Sequence, residues 1–278
     1  MHYLVIPVAD TNERCLPLLV DLLESIRKGG YYDNDYHVIL CYDNVGEAFQ
    51  KAIIEKFLGD KIAVLDNRNP KNLNFTKNVN TGFRLAHQLG AEHITLLNMD
   101  TVLPPVETFN KLSGEGLAFP TPVDVSPEGE VAALMTPLQS RIESLNFRNE
   151  KYLEPDLVPT RTPANRYSGF CMCFSRDLVD KIGYLDERFT AGCDDDDVCI
   201  RTILAGFPCE VVSISVHHEL KNRDNNNVST TGAYDIPSLT LAVKKLKRKY
   251  RVPPQVPHEQ IAAVVLDNFV WDDALRVM

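Results

Sequence analysis

The sequence lacks any long hydrophobic run. Nothing in its 278 residues approaches a membrane span, and the opening MHYLVIPVADTNE has neither a basic leader nor an apolar core long enough for a signal peptide. A cytoplasmic protein is expected. No G-x-G-x-x-G follows the first apolar run and no G-x-x-x-x-G-K-[ST] occurs, which disfavours a dinucleotide-dependent dehydrogenase and a P-loop enzyme. The seven cysteines contain no C-x-x-C pair, and their odd number suits buried thiols in a reducing compartment better than a disulfide framework or structural zinc. Positive charge is short as well: 29 Lys and Arg against 38 Asp and Glu leave a formal charge of -9, unlike a general nucleic-acid binder. Asn74 and Asn227 stand in N-x-S/T sequons that read as incidental without a secretory leader.

What the chain does have is alternation. Apolar runs at Tyr3–Pro7, Val38–Cys41, Ile62–Leu65 and Ile94–Leu97 read as short buried strands. Helical spacing follows the first three, over Leu16–Lys28, Glu47–Leu58 and Asn80–Leu89. Strands alternating with helices predict an α/β domain on a mostly parallel sheet. Each strand ends in a carboxylate: Asp10, Asp43, Asp66 and Asp100. One such residue alone is a turn former, but ligands of these sheets bind at the carboxyl ends of the strands, so four together outline a polar cleft. The run Ile94–Thr101, ITLLNMDT, delivers Asp100 to the place where a metal or phosphate would be met.

From Thr121 to Asn165 the alternation stops, and six prolines with weak periodicity read as loops and short elements over the active edge. Beyond it come a strand at Gly169–Phe174, a short helix at Arg176–Ile182, a helix through Ala205 stopped by Gly206, and a strand at Cys209–Val216 that ends in His217 and His218. The last of these helices opens with Asp194, Asp195, Asp196 and Asp197. Acids favour a helix N-terminus, where free N–H groups and the macrodipole stabilise them, and this accounts for Asp194 and Asp196. Asp197 and Arg201, at i and i+4, form a pair that fixes the helix. Asp195 suits a general base, because packed carboxylates raise one another's pKa, although the helix dipole pulls the other way. Either histidine alone reads as a packed or surface residue. At the same edge as Asp100, however, imidazole with carboxylate oxygens is a mixed set suited to Mn²⁺.

The stretches NLNFTKNVNTGFRLAHQLGAEHITLLNMDT and SGFCMCFSRDLVDKIGYLDERFTAGCDDDDVCIRTILAGFPCEVVSISVHH resemble the GT-A glycosyltransferases of family 2, especially the rhamnosyltransferase-like branch, over about residues 1–218. The resemblance implies a Rossmann-like GT-A domain over 1–220 with helices on both faces of its sheet. Its nucleotide-binding half would be about 1–120 and its acceptor and catalytic half about 121–220, with a small helical C-terminal extension over 221–278. Asn98, Met99 and Asp100 fall on the family's D-x-D motif, which implies that Asp100 binds a divalent cation, Mn²⁺ or Mg²⁺, with Asn98 beside the nucleotide sugar. Asp194 to Asp197 with Arg201 match E-D-x-D-x-x-x-R. That match implies Asp195 as catalytic base and Asp194 among the nucleotide-sugar contacts. The family's late histidine, a metal or diphosphate contact, matches His217 or His218, and spacing does not choose between them. Val8, Asp10 and Asp43 take the positions that contact base and ribose, and Lys77 lies where a basic residue meets the diphosphate.

The implied reaction is inverting, metal-dependent transfer of a hexose or pentose from a UDP, GDP or dTDP sugar to an acceptor hydroxyl, on a glycan, a lipid-linked glycan or modified DNA. A nucleotidyltransferase is the first rival, but it would carry a glycine-rich basic loop where this chain has VADTNERC. A non-catalytic sugar- or nucleotide-binding descendant is the second, and retention of both Asp100 and Asp195 speaks against it. Past His218 the resemblance ends. Asn222–Thr231 reads as a polar loop that closes on the donor, Leu239–Tyr250 as a basic amphipathic helix, and Glu259–Phe269 as a final helix. Within them Lys244–Arg251, KKLKRKYR, reads first as a solvated helix face, and functionally as a contact for a phosphate-rich acceptor or an anionic membrane surface.

Overall fold

A computed structural model describes residues 1–10, 15–67, 75–125, 131–134, 161–167, 169–190, 192–218 and 236–277. The expected donor-closing loop Asn222–Thr231, the sequon asparagines Asn74 and Asn227 and most of 126–160 lie outside the described residues. The first half follows the expected alternation: β1 (His2–Ala9), α1 (Cys15–Lys28), β2 (Tyr36–Asp43), α2 (Glu47–Lys56), β3 (Ile62–Asn67), α3 (Phe75–Gln88) and β4 (His93–Leu97). A two-residue strand β5 (Thr101–Val102) and a single helical turn α4 (Val106–Phe109) follow. The second half contributes β6 (Leu117–Val125), β7 (Val131–Leu134), β8 (Arg161–Pro163), β9 (Cys171–Ser175), α5 (Arg176–Ile182), α6 (Asp194–Leu204) and β10 (Cys209–His218). Helices α7 (Ile236–Lys249) and α8 (Ile261–Asn268) close the chain.

The strands form one sheet in the order β3-β2-β1-β4-β9-β6-β10-β5, with β7 on β6 and β8 on β10. Strands β3, β2, β1 and β4 run parallel, as their helical crossovers require. The remainder is mixed, because β9 enters antiparallel between β4 and β6. Three strands, β6 to β8, occupy the stretch expected to be irregular. Pro120 and Pro122 hid β6. Both fall beyond its pairing with β9 at Leu117 and Ala118, where their missing N–H groups leave no ladder bond unmade on that side.

Chain order reverses between β1 and β4, so the crevice of the sheet opens at their carboxyl ends, beside Asp10 and Asp100. Helix α1 packs through Cys15, Leu19, Leu22, Leu23 and Ile26, all fully buried at i, i+4, i+7, i+8 and i+11. Each buried leucine there contributes about 2 kcal/mol of apolar transfer. Helix α3 starts at Phe75, earlier than the expected Asn80, and lies unusually close to the sheet. A Cβ on Gly82 would stand 2.5 Å from Val5 Cγ1 and 2.6 Å from Cys41 Sγ.

The C-terminal helices build a second, smaller core. Ala242, Leu246, Tyr250, Ile261 and Val265 pack with Phe189, Cys193 and Ile200 around α6. The basic run is therefore not wholly a solvated face: Lys249 keeps 6% of its side-chain exposure and Tyr250 is fully buried. The chain then returns to α5, where Val277 donates its amide to Ile182 O and accepts from Tyr184 N.

Candidate active site

The sheet edge is assembled by polar side chains of α3 as much as by the strand-end acids. Asn78 donates to Cys41 O at the end of β2, at 2.7 Å. Asn80 donates to Leu185 O at 2.8 Å and accepts from Leu185 N at 3.0 Å, and Thr76 donates to Phe189 O at 2.8 Å. All three are buried, so each bond satisfies a group that water cannot reach. Thr76 and Asn80 thereby pin the segment 185–189, which leads into the acidic run, onto α3, and Asn78 pins α3 onto β2. Lys77 is exposed on the first turn of the same helix. Its charge reaches Glu187, whose carboxyl lies below its usual range because bonds from Asn80 and Arg84 outweigh its partial burial.

Helix α6 begins after two left-handed residues, Gly192 (φ 81) and Cys193 (φ 63), a sharp entry uncommon for a non-glycine residue. Its four aspartates then take four different environments. Asp194 is 7% exposed, and burial together with Asp195 pushes its carboxyl well above the usual range. Asp195 accepts the amide of Gly169 at 3.1 Å and that of Asp196 at 2.9 Å. Its carboxyl is raised to about 6, first by burial and then by the Asp196 charge, while the two amides and Arg166 pull it down. Asp196 moves the other way. Burial would raise it, but His258 Nε2 at 2.7 Å and Arg166 Nε, in very close contact, hold it below its usual value. Asp197, with no exposure, pairs with Arg201 at 2.8 Å as the spacing predicts, and also with Lys249 Nζ at 2.5 Å and the Tyr250 hydroxyl at 2.8 Å.

Asp100 and His218 come together at the other side of the edge, Oδ1 to Nε2, at 3.4 Å. Two donors held about 2.1 Å from one octahedral ion stand about 3 Å apart, so this pair fits a shared divalent cation. The imidazole is 3% exposed and stacked on Phe170 with centroids 4.7 Å apart, and its Nδ1 has no hydrogen-bond partner among the described residues. His217 and His218 lie within β10, paired with Val102 and Thr101 of β5, and so project to opposite faces. His217 lines a 320 Å³ cleft against α1 with Asp100, Asp21, Glu24 and Lys28. Asn98 is anchored through its backbone, its amide donating to Phe170 O at 2.8 Å and its carbonyl accepting from Thr101.

Asp10 and Asp43 stand at the ends of the neighbouring strands β1 and β2. Ala9 pairs with Asp43 across β1 and β2, and Asp10 Oδ2 accepts the amide of Gly46 at 3.2 Å, where α2 begins. Asp43 is 5% exposed and accepts from Asn44 at 3.1 Å. The side chain of Val8 is buried in the core, so only its backbone faces the edge.

Cys193, Asp196 and His258 form a further group whose ligand atoms lie within 4.8 Å of one another. The guanidinium of Arg166 already contacts both Asp196 and His258, supplying the positive charge that a cation would bring. Of these residues Arg166, Gly169 and His258 carried no local sequence signal. They belong to the site only because β9 and the C-terminal segment fold against α6.

No known protein family and no curated protein matches the sequence. Solved structures do match. The S. aureus TarS 1-349 complex with UDP-GlcNAc superposes with a TM-score of 0.60 at 13% identity, over 95% of this chain and 71% of that one. The mannosyltransferase PcManGT from Pyrobaculum calidifontis, with GDP-Man and Mn2+, gives 0.55 at 14% identity, over 96% and 70%. GalNAc-T7 with UDP, GalNAc and Mn2+ gives 0.52 at 11% identity, over 95% and 54%. The chain has the GT-A fold. At such identities the likeness is one of fold, and the chemistry has to come from this chain's own residues. Among the described residues no helix is long and apolar enough to cross a membrane.

Proposed function

We propose that this protein is an inverting glycosyltransferase that moves a sugar from a nucleotide-diphosphate sugar to an acceptor hydroxyl. One observation carries the reading: adjacent residues Gly169 and Phe170 tie the two halves of the site together. The Gly169 amide holds Asp195, while the Phe170 ring stacks on His218 and its carbonyl fixes Asn98. A carboxylate suited to accept a proton and a carboxylate–imidazole pair suited to a cation are thereby set at a fixed separation. The fold neighbours bound to UDP-GlcNAc and to GDP-Man with Mn2+ support the donor class.

In this reading Asp100 and His218 would hold Mn²⁺ or Mg²⁺, which when bound would offset the negative charge gathering on the departing diphosphate. Asp10 and Asp43 face the base and ribose, and Lys77 stands near the diphosphate. Asp195 removes the proton from the acceptor hydroxyl as that oxygen attacks the anomeric carbon. The bond from that carbon to the diphosphate oxygen breaks as the new one forms, the nucleoside diphosphate leaves with the bonding pair, and attack from the opposite face inverts the centre. Residues 1–220 form the transferase unit and 221–278 an extension that supports it. The exposed part of Lys244–Arg251 faces an anionic acceptor or surface.

The test is calorimetric titration with UDP, GDP, dTDP and CDP, each with and without Mn²⁺. Metal-dependent binding of one of them, lost in Asp100→Ala, supports the reading and names the base. Binding of none, in the protein shown folded by circular dichroism, overturns it.

A further inference from the structure

We infer that His258, from the C-terminal segment, is a positioning residue for Asp195, acting with Arg166 through Asp196; the inference rests on the transfer reaction proposed above. Asp195 is aimed by two backbone amides that come from separate stretches of chain, Gly169 ahead of β9 and Asp196 in the first turn of α6. The Arg166–Asp196 ion pair ties those same two stretches together, since Arg166 lies three residues before Gly169 and Asp196 immediately follows the base.

His258 completes the tie. Its Nε2 lies 2.7 Å from Asp196 Oδ2, the oxygen that Arg166 Nε leaves open, and donates to it in the Nε2–H tautomer, while Arg166 Nη2 stands against the same ring, 3.2 Å from Nδ1 and 3.1 Å from Nε2. Arg166 and Asp196 are 6% and 4% exposed, so a lost partner is not replaced by bulk water. Cys193 Sγ lies 3.5 Å from His258 Nε2, at the left-handed entry to α6. His258 itself sits in a 3₁₀ turn held in place by α8, which packs on α6. The tail of the chain thus sets the spacing between the two amides that orient the base. A loosened spacing leaves donor contacts intact while misplacing the carboxylate, and small displacements of a reacting group cost rate steeply.

The experiment compares wild type, His258→Ala and His258→Gln, whose amide nitrogen reaches where Nε2 did. Amide hydrogen exchange at Gly169 and Asp196 is measured by NMR beside the central-strand amides of Val5 and Ile39. Donor-dependent kcat and donor affinity are measured on the same preparations. Protection of Gly169 and Asp196 should fall roughly tenfold in His258→Ala, with Val5 and Ile39 unchanged, and return in His258→Gln. In step with it, kcat should fall about 10- to 100-fold at constant donor affinity. Unaltered protection in His258→Ala overturns the inference, and so does a loss shared equally by all four amides. If wild type turned over no donor at all, the proposed reaction would fail, while the exchange data would still decide whether His258 fixes the base.

Discussion

Gly169 approaches Asp195 more closely than most residues with a side chain do. Its amide bonds the carboxylate at 3.1 Å, and a Cβ built on it would stand 3.1 Å from Asp195 Cβ and 3.3 Å from Met172 Cε. Gly169→Ala should therefore push the base off its two amides. The expected outcome is a kcat about 10- to 100-fold lower with donor affinity unchanged. Steady-state kinetics and titration calorimetry on one preparation check it, and an equal loss of affinity would contradict the placement of Asp195 away from the donor.

The raised carboxyl of Asp195 sets a pH dependence. Below about 6 it carries a proton and cannot accept another; above that value it is ionised and competent. The kcat profile should climb through about pH 6 and level off towards neutrality. Asp195→Asn should lower kcat by about 10²- to 10⁴-fold at every pH and abolish that limb, while still binding donor. A wild-type limb near the ordinary aspartate range would mean that a different group takes the proton.

Asp100→Ala and His218→Ala should each remove the Mn²⁺ dependence of nucleoside diphosphate binding. His217→Ala should keep it, because it is His218 Nε2 that stands 3.4 Å from Asp100, and the two rings project to opposite faces of β10. Calorimetry with and without chelator decides between the two histidines, a choice that sequence spacing left open.

Asp197 offers a stability test separate from catalysis. It has no exposure and shares its charge with Arg201, Lys249 and the Tyr250 hydroxyl. Removing one partner of a buried pair costs about 3–5 kcal/mol, so Arg201→Met should lower the urea midpoint accordingly. Tyr250→Phe, which deletes one bond to the same carboxylate, should cost about 1–3 kcal/mol.

The first half of the chain was readable from sequence because strands buried on both faces are written as short apolar runs and their ends as polar breaks. Asp100 and Asp195 stood out through motif position, and Asp197 with Arg201 through helical spacing. Strand β6 was not readable, since prolines mark it as irregular and only its missing neighbour makes them tolerable. Nor was the support around Asp195. Arg166 and His258 lie 30 and 62 residues from Asp196, and no local pattern encodes a contact made by folding alone. The run Lys244–Arg251 misled for a related reason: its charge suggests solvent, yet Lys249 points at Asp186 and Asp197 in the interior.

The tie between His258 and Asp196 also bears on when the protein becomes active. Synthesis delivers α6 well before the turn that carries His258, and N-terminal portions of a chain fold first. On the reading proposed above, a growing chain that has already built its sheet still lacks the last anchor of Asp195, so the donor side is complete before the acceptor side is.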